Sequence, residues 1–456
     1  MTWFKNNLSP LLHLAMPLIL TGLLQSSTYF FETMFLAHLS SDVLAAGALV
    51  SWLFGTFIVI LIGLLSSINI LVAHQYGAKN FAAISFIVRD GVWLAIALAL
   101  PSFILFWNLS PIFLFLGQNP SVVHLAQTYL HALAWGLLPN LLMFALLEFI
   151  VGLGHARVLL VFGILSASLT VFLSFALIFG KFGLPALGIA GAGWGTTISY
   201  WISVFFLLLY VLFNKEYRSY LSHLFTPTKQ SYIMELCKVG APIGFMYCVE
   251  VGFFFVLTLI TGSLGSQLLA ANQIALQYMG TLMSIIFSIA QAITVRMGHL
   301  LGAKEIDSAE QACYAGISLA LLIMIIIAIF YWTMPTLLIS IDFDVHDSKN
   351  SELIHLASQL LVVSAWFQLF EATRIALFGA IRALKDTRFT LFISIISFWG
   401  IALPLGYFLT THLNLGGVGL WWGMVFGAGL SVILLFWRFK FKIKTDYHRQ
   451  SIAPVL

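Results

Sequence analysis

Charged residues are scarce in this sequence. Lys, Arg, Asp and Glu make up 8% of the 456 residues, whereas 61% of the residues are hydrophobic. A soluble protein of this length needs far more polar side chains to face water. The composition therefore excludes a soluble globular protein and predicts a polytopic membrane protein.

Cysteine is almost absent, with three residues in the chain. Cys237, Cys248 and Cys313 lie in or beside hydrophobic stretches, and their spacing matches neither a disulfide framework nor a metal site. We expect three buried thiols that fill apolar space. The sequence gives no sign of a cofactor, and we expect the protein to need none.

The sequence also lacks the motifs of nucleotide binding and of zinc-dependent hydrolysis. No GxxxxGK[ST] loop is present to bind nucleotide phosphates, which argues against ATP as an energy source. There is no HExxH motif and no recognisable nucleophile–base constellation, so an intramembrane hydrolase is disfavoured. The sequence therefore predicts a protein that is not an enzyme.

Long hydrophobic runs dominate what is present. A helix that crosses a bilayer needs roughly 20 apolar residues, and about twelve stretches of the chain meet that requirement. The predicted spans are 11–37, 44–73, 90–109, 122–150, 158–180, 188–213, 236–262, 268–297, 309–338, 353–380, 389–411 and 417–438.

The basic residues fall mostly on one side of these spans. With both termini in the cytoplasm, the inner segments hold 18 of the 21 Lys and Arg residues, the outer loops hold Lys181 and Lys349, and Arg374 lies inside a span. Such a bias predicts cytoplasmic termini and suits a bacterial inner membrane. The net charge of +4 follows from this bias, so we expect the lipid bilayer, and no nucleic acid, as a partner.

The chain also repeats itself. Two stretches of six spans align with shifts of 225 to 231 residues, which predicts an all-α integral membrane protein with twelve transmembrane helices in two pseudo-symmetric six-helix bundles. The predicted domains are 1–213, a cytoplasmic linker 214–231, and 232–456 with a basic tail. Because the duplicated chain can form its own central cavity, we expect a monomer. The matched pairs include Pro17 with Pro242, Gly77 with Gly302, Trp135 with Trp366, and Trp194 with Trp422.

Three carboxylates lie within the predicted spans. Glu250 has apolar residues on both sides, and Glu32 and Glu371 are similarly deep in spans 1 and 10. An ionised carboxylate in lipid is costly, so each must be protonated, paired or open to a wet cavity, which makes all three candidates for ion coupling. A buried structural acid is the alternative for each. For Glu371 that alternative has a named partner, because Arg374 follows three residues later on the same helix face.

Several uncharged polar residues accompany these acids. Gln25 is the repeat counterpart of Glu250, and Asn140 is the counterpart of Glu371. Gln273, Gln277 and Tyr278 in span 8 are predicted to line the cavity, with helix–helix contacts as the alternative. We interpret Glu148, near the inner end of span 4, as an interfacial partner of Arg157 or a loop residue.

The combination of these features resembles the multidrug and toxic compound extrusion (MATE) family, most closely its NorM-type branch. The resemblance covers essentially the whole chain and rests on the doubled architecture, on Glu250 followed by LGSQLLAANQIAL, and on Glu371 followed by GAIRALKDT. It implies a secondary transporter that exports organic cations in exchange for H⁺ or Na⁺. By motif position, the resemblance implies coupling or binding roles for Glu250, Glu371, Glu32 and Gln273.

The sequence leaves alternatives open for the coupling ion and for the class of substrate. H⁺ is favoured over Na⁺ at Glu250 and Glu371, because Glu32 and Glu371 stand where the family commonly has Asp. A flippase for lipid-linked oligosaccharides or lipid II is the competing transporter of the same superfamily, although it should have a basic cavity. A receptor or scaffold would not need the duplicated architecture.

Overall fold

The computed structural model describes residues 7–115, 117–221, 223–224, 230–340 and 350–452, and all of its regular elements there are helices. The first half contains α1 (Ser9–Ala37), α2 (Ser41–Leu65), α3 (Ser67–Gly77), α4 (Phe81–Trp107), α5 (Ser110–Phe115), α6 (Pro120–Ala134), α7 (Leu137–Gly152), α8 (Ala156–Phe179), α9 (Ile189–Phe213) and α10 (Lys215–Tyr220). The second half contains α11 (Ile233–Leu264), α12 (Ser266–Gly302), α13 (Ile306–Thr333), α14 (Pro335–Ile339), α15 (Ser351–Ala383), α16 (Thr387–Ser394), a π-helical segment (Ile395–Ala402), α17 (Leu403–Thr411) and α18 (Gly416–Ile452).

The described helices have the length and hydropathy of membrane spans. Eleven of them qualify singly or as continuous runs, and the pair α6 and α7, bent by 47°, brings the number to twelve if it is one span. The predicted fold class of an all-helical, multi-pass integral membrane protein is confirmed. The predicted span 122–150 is this bent pair rather than one straight helix.

The chain divides into two compact units. The N-terminal unit is Met16–Gly244, and the C-terminal unit combines Met1–Ala15 with Phe245–Leu456. Both boundaries fall inside long helices, α1 and α11, close to Pro17 and Pro242. The division at residues 213 and 232 stays a prediction, and part of the linker, 225–229, lies outside the described residues.

Glycine brings helices into close contact at the same repeat position in each unit. In the N-terminal unit, a Cβ on Gly195 of α9 would lie 2.5 Å from the backbone nitrogen of Ser174 in α8. In the C-terminal unit, a Cβ on Gly423 of α18 would lie 2.4 Å from the carbonyl oxygen of Ala402. Small residues permit such close approach of helix backbones in a membrane. The repeat thus preserves one helix crossing in both halves.

Span 11, predicted over 389–411, contains an irregularity. It starts as α16, widens into the π-helical segment and continues as α17. Single π turns are uncommon and occur frequently at functional sites. Here the π turn begins directly after Ser394, whose side chain is fully buried.

The three cysteines differ in environment. Cys313 is buried, Cys237 is half-buried and Cys248 is exposed. The expectation of three buried thiols is therefore wrong for Cys248, whose position in α11 turns its side chain out of the packed interior.

Candidate functional site

A charged cluster is buried in the C-terminal unit. α11 supplies Glu250, α15 supplies Glu371 and Arg374, and the last residue of α16 supplies Ser394. Glu250 is 8% exposed, Glu371 is 3% exposed and Arg374 is 1% exposed. Charged side chains are rarely buried to this extent unless they are paired.

Arg374 links the two acids of this cluster. Its Nε donates to Glu371 Oε2 at 2.7 Å and its Nη2 donates to Glu371 Oε1, so that pair is bidentate. Its Nη1 donates to Glu250 Oε1 at 2.8 Å. The same-face pair of Glu371 and Arg374 is present as the spacing indicates, and the structure adds Glu250 as a second partner.

The surroundings of the guanidinium fix its position. Its central carbon lies 4.6 Å from the ring centroid of Phe378 and 4.7 Å from that of Phe398. Ser394 Oγ donates to Glu250 Oε1 at 2.9 Å and lies 3.4 Å from Arg374 Nη1. Contacts with aromatic faces and the planar shape of guanidinium suit a fixed, buried ion pair.

The charges of this cluster do not cancel. With both acids ionised, two carboxylates face one guanidinium, and within the described residues no second cationic side chain binds either acid. The cluster then has a formal charge of −1. A buried charge of that sign requires one proton or one monovalent cation for neutrality.

Glu32, the third of the acids predicted for ion coupling, lies in the N-terminal unit. Glu32 of α1 is 7% exposed, and Thr196 of α9 donates to its Oε1 at 2.7 Å. Among the described residues, Glu32 has no ion pair with a basic side chain. A hydroxyl can stabilise a carboxylate but does not neutralise it.

The amides and the tyrosine predicted to accompany the acids lie elsewhere. Gln25, Gln273 and Gln277 are exposed and Asn140 is half-buried. Within the described residues, none of these four amides forms a hydrogen bond with one of the three acids. Tyr278 donates its hydroxyl to the carbonyl of Leu338 at 2.8 Å. Their roles as cavity residues stay predictions.

A neighbouring amide is the buried one in the AANQIAL motif. Asn272 is 1% exposed, and its Oδ1 accepts a hydrogen bond from Trp421 Nε1 at 3.0 Å. This contact joins α12 to α18, and no local sequence signal separates Asn272 from Gln273. Tertiary packing alone decides which of the two amides faces inward.

Glu148 is more deeply buried than the sequence suggests. It lies in α7 with 2% exposure, and Asn69 of α3 donates its Nδ2–H to Glu148 Oε2. The interpretation of Glu148 as a loop residue is therefore wrong, because it lies within α7, and its position at the membrane interface stays a prediction. Its face of α7 packs against α3, which a sequence position near the end of a span does not reveal.

The part of the chain that the structure describes contains no cluster of metal-binding side chains that could form a dedicated ion site. Within the described residues, no group of three or more His, Cys, Asp and Glu side chains lies close enough to hold a metal ion. Glu250 and Glu371 are near each other, but Arg374 donates to both. A Na⁺ ion at these acids would have to share them with the guanidinium.

Comparison with known proteins gives a consistent result. The MatE family model matches residues 17–176 and 242–408. A protein of Pseudomonas putida KT2440, described as a probable multidrug resistance protein NorM, is 33% identical over 438 residues, covering 96% of this chain and 95% of the relative. A protein of Pseudomonas aeruginosa PAO1 with the same description is 35% identical over 441 residues, covering 95% of this chain and 89% of the relative.

Solved structures share the fold. An outward-facing multidrug resistance MATE family transporter of the MOP superfamily superposes with a TM-score of 0.88 at 17% identity, covering 96% of each chain. The eukaryotic MATE transporter AtDTX14 superposes with a TM-score of 0.83 at 20% identity, covering 98% of this chain and 100% of that structure. At such identities the likeness concerns the fold alone.

Proposed function

This chain belongs to the MatE family, and from that membership we propose that it is a multidrug efflux antiporter that exports organic cations in exchange for H⁺ or Na⁺ by alternating access. The observation that carries the proposal is the excess negative charge of the buried cluster of Glu250, Glu371 and Arg374. The relatives described as multidrug resistance proteins support the substrate class.

The charge of the cluster supplies a mechanism for exchange. One proton or cation neutralises the cluster, and an arriving organic cation can do the same. Because the site needs one positive charge and not two, the two ligands compete. Competition for one site, combined with alternating exposure to the two sides of the membrane, gives antiport.

The arrangement of Arg374 favours H⁺ as the coupling ion. Both carboxylates already accept hydrogen bonds from its guanidinium, whereas Na⁺ prefers several oxygen ligands that are free of other cations. A proton needs only one free carboxylate oxygen. Na⁺ is the alternative that the transport assay separates.

The energetics depend on the stoichiometry. The membrane potential supplies about 2.3 kcal/mol per charge per 100 mV, which corresponds to a gradient of about fiftyfold if one net charge moves inward per cycle. Exchange of one proton for one monovalent cation is electroneutral and depends on the pH difference instead.

The net negative charge of the cluster also bears on the competing transporter class. A flippase for lipid-linked pyrophosphates should present basic side chains to its substrate. Among the described residues, the buried acids outnumber the buried arginines by five to three, and they are Glu32, Asp90, Glu148, Glu250 and Glu371 against Arg89, Arg374 and Arg382. We further propose a monomer in a bacterial inner membrane with cytoplasmic termini, on the strength of the duplicated chain and of the basic residues counted above.

Uptake of ethidium into inside-out vesicles tests the proposal. We expect uptake with an imposed pH gradient, weak or absent uptake with a Na⁺ gradient, and loss of uptake in Glu250→Gln. Glu310→Gln is a matched control, because Glu310 is a partly exposed acid of the same unit that binds Lys440. Wild-type vesicles that move no cation under either gradient would refute cation export and leave the flippase class to be tested.

A further inference from the structure

Three polar side chains meet where α12, α13 and α15 of the C-terminal unit pack together. Gln368 of α15 and Tyr331 of α13 are 2% and 3% exposed, and the Tyr331 hydroxyl lies beside the Gln368 carboxamide. Tyr278 of α12 lies near Tyr331 and donates its hydroxyl to the carbonyl of Leu338 in α14 at 2.8 Å. The side chains around them form a hydrophobic cluster of this unit.

The carboxamide of Gln368 lacks hydrogen-bond partners. Among the described residues, neither its Nε2 nor its Oε1 has one, and the Tyr331 hydroxyl has none either. Even a hydrogen bond from that hydroxyl to Oε1 would leave both hydrogens on Nε2 without an acceptor. A buried polar group in this state costs about 1–3 kcal/mol, and buried polar groups of native proteins are normally paired with protein or with ordered water.

The internal repeat shows that the fold does not require polar side chains at this crossing. In the N-terminal unit the equivalent positions are all apolar and lie in one hydrophobic cluster. The shifts of 225 and 231 residues pair Tyr278 with Leu53, Tyr331 with Phe106, and Gln368 with Leu137.

Two tryptophan pairs support this alignment at the crossing itself. In the N-terminal unit the rings of Trp107 and Trp135 are 6.4 Å apart. In the C-terminal unit the rings of Trp332 and Trp366 are 4.8 Å apart. The same two shifts, 225 and 231, relate one pair to the other. Each pair borders the positions compared above, so these positions are equivalent in three dimensions.

The polar version of the crossing lies in the unit that has the charged cluster. Gln368 precedes Glu371 by three residues, which places both on one face of α15. Arg374 donates to both oxygens of Glu371, and each carboxylate oxygen has a further lone pair. If the crossing only had to be packed, the apolar set of the N-terminal unit would serve at lower cost. The asymmetry therefore indicates a polar ligand beside Glu371.

We propose that Gln368, Tyr331 and Tyr278 hold bound water next to Glu371, and that this water is the route by which protons reach and leave the carboxyl group. The amide N–H of Gln368 donates to a water oxygen, and the Tyr331 hydroxyl both donates and accepts. Water fits a covered site of this kind, since a buried water typically makes about three hydrogen bonds to otherwise unsatisfied groups. The water site stands by itself, whereas the proton route rests on the proposed H⁺ coupling.

The proton transfer consumes none of its carriers. As the O–H bond of the Glu371 carboxyl group forms, one O–H bond of the adjacent water breaks. The water oxygen regains a proton from the next O–H group of the route, that of Tyr331 or of a second water. One proton has moved, and the water and the tyrosine are unchanged. Gln368 transfers no proton and is a positioning residue for the water.

A structure of the full-length chain at a resolution that shows ordered water tests the binding site. We expect density for a water oxygen about 2.7–3.2 Å from Gln368 Nε2. This density should be absent in Gln368→Leu, which introduces the side chain of the repeat counterpart. A wild-type map in which the Gln368 amide contacts protein atoms only overturns the proposal. The measurement does not use transport, so its failure is distinguishable from a failure of cation export.

The double variant Gln368→Leu/Tyr331→Phe separates a functional role from a structural one. It copies the apolar set of the N-terminal unit, and replacement of polar partners by apolar groups of similar shape is nearly neutral or stabilising. We therefore expect a melting temperature at or above that of the wild type. The initial rate of ethidium uptake with an imposed pH gradient should nevertheless fall severalfold. The ethidium concentration for half-maximal rate should not change, because neither residue belongs to the charged cluster.

Gln359→Leu is the matched control for these rates. Gln359 is an exposed glutamine of the same helix, and its side chain contacts His355, so we expect the wild-type rate. Wild-type uptake by the double variant overturns the proton route. A lower melting temperature with an unchanged rate would give the polar group a structural role and overturn it as well. Tyr331→Phe alone, which removes one hydroxyl, provides the same comparison if the double variant does not fold.

Discussion

Arg374 Nη1 lies 2.8 Å from Glu250 Oε1, although the two residues are 124 positions apart in the chain. The same guanidinium holds Glu371 by two hydrogen bonds. Two helices of the C-terminal unit are thus joined through one buried cation. The arrangement gives Arg374 a structural role and leaves one negative charge for a ligand.

Replacement of Arg374 by Met is expected to destabilise the protein strongly. It leaves two buried carboxylates without their cation, and removal of one partner from a buried ion pair typically costs about 3–5 kcal/mol. Thermal unfolding in detergent should show a marked drop in melting temperature. The double variant Arg374→Met/Glu371→Gln should recover part of that loss, because it removes one of the two stranded charges.

Arg374→Lys is the conservative control for that experiment. A Lys ammonium is a compact point charge and does not bind two carboxylates with the geometry of a guanidinium, so we expect an intermediate melting temperature. If Arg374→Met unfolds at the wild-type temperature, the ion pairs are not needed for stability, and the structural role assigned to Arg374 is wrong.

Alanine at the two repeated glycines should also destabilise the fold. Gly195→Ala and Gly423→Ala would each place a methyl group within 2.5 Å of backbone atoms of a neighbouring helix. Overpacking of this kind typically costs about 1–3 kcal/mol. Thermal unfolding should show a loss for both variants.

The matched controls for these glycines are Gly55→Ala and Gly280→Ala, one in each unit. An added Cβ at either position meets no described atom within 4 Å, and alanine favours helix more than glycine does. We expect unchanged or slightly raised stability. Equal losses in all four variants would show that the close crossing is not the cause of the destabilisation, and would contradict the prediction.

The parts of the site that sequence reasoning identified have local signals. Glu250, Glu371 and Glu32 are predictable because a carboxylate inside an apolar span is conspicuous and costly. The pairing of Glu371 with Arg374 follows from a spacing of three residues, which places both on one face of a helix. The number of spans follows from the length of the hydrophobic runs.

The parts that sequence reasoning missed depend on tertiary packing. The contact between Arg374 and Glu250 has no signal in either segment, and the π turn after Ser394 lies in a run that reads as an ordinary span. The sequence position of Glu148 near the end of a span does not distinguish a loop from a helix, whereas the structure places it within α7, buried by the packing of α3 on α7. Which face of a helix is covered depends on its neighbours.

Lys440→Ala should have little effect on stability, in contrast to Arg374. The ammonium of Lys440 in α18 binds Glu310 of α13, but the two side chains are 40% and 23% exposed. Exposed ion pairs contribute about 0–1 kcal/mol and weaken with salt. A melting temperature near that of the wild type at high and low salt is the expected result, and a loss comparable to that of Arg374→Met would contradict it.

Thr196→Val and Thr197→Val form a matched pair that tests the role of Glu32. The two threonines are adjacent in α9 and both are buried. Thr196 donates to the Glu32 side chain at 2.7 Å, with the carbonyl of Ala192 in its own helix as a second acceptor at 3.0 Å, and Thr197 donates to the carbonyl of Ala132 at 2.7 Å. Each Thr→Val change leaves one acceptor without its donor, so we expect similar stability losses of about 1–3 kcal/mol.

Only Thr196→Val changes the surroundings of a buried acid. We therefore expect the dependence of ethidium uptake on the imposed pH gradient to change in Thr196→Val and to stay as in the wild type in Thr197→Val. If both variants keep the wild-type dependence while their melting temperatures fall, Thr196 and Glu32 form a structural contact, and ion coupling belongs to the cluster around Arg374 alone.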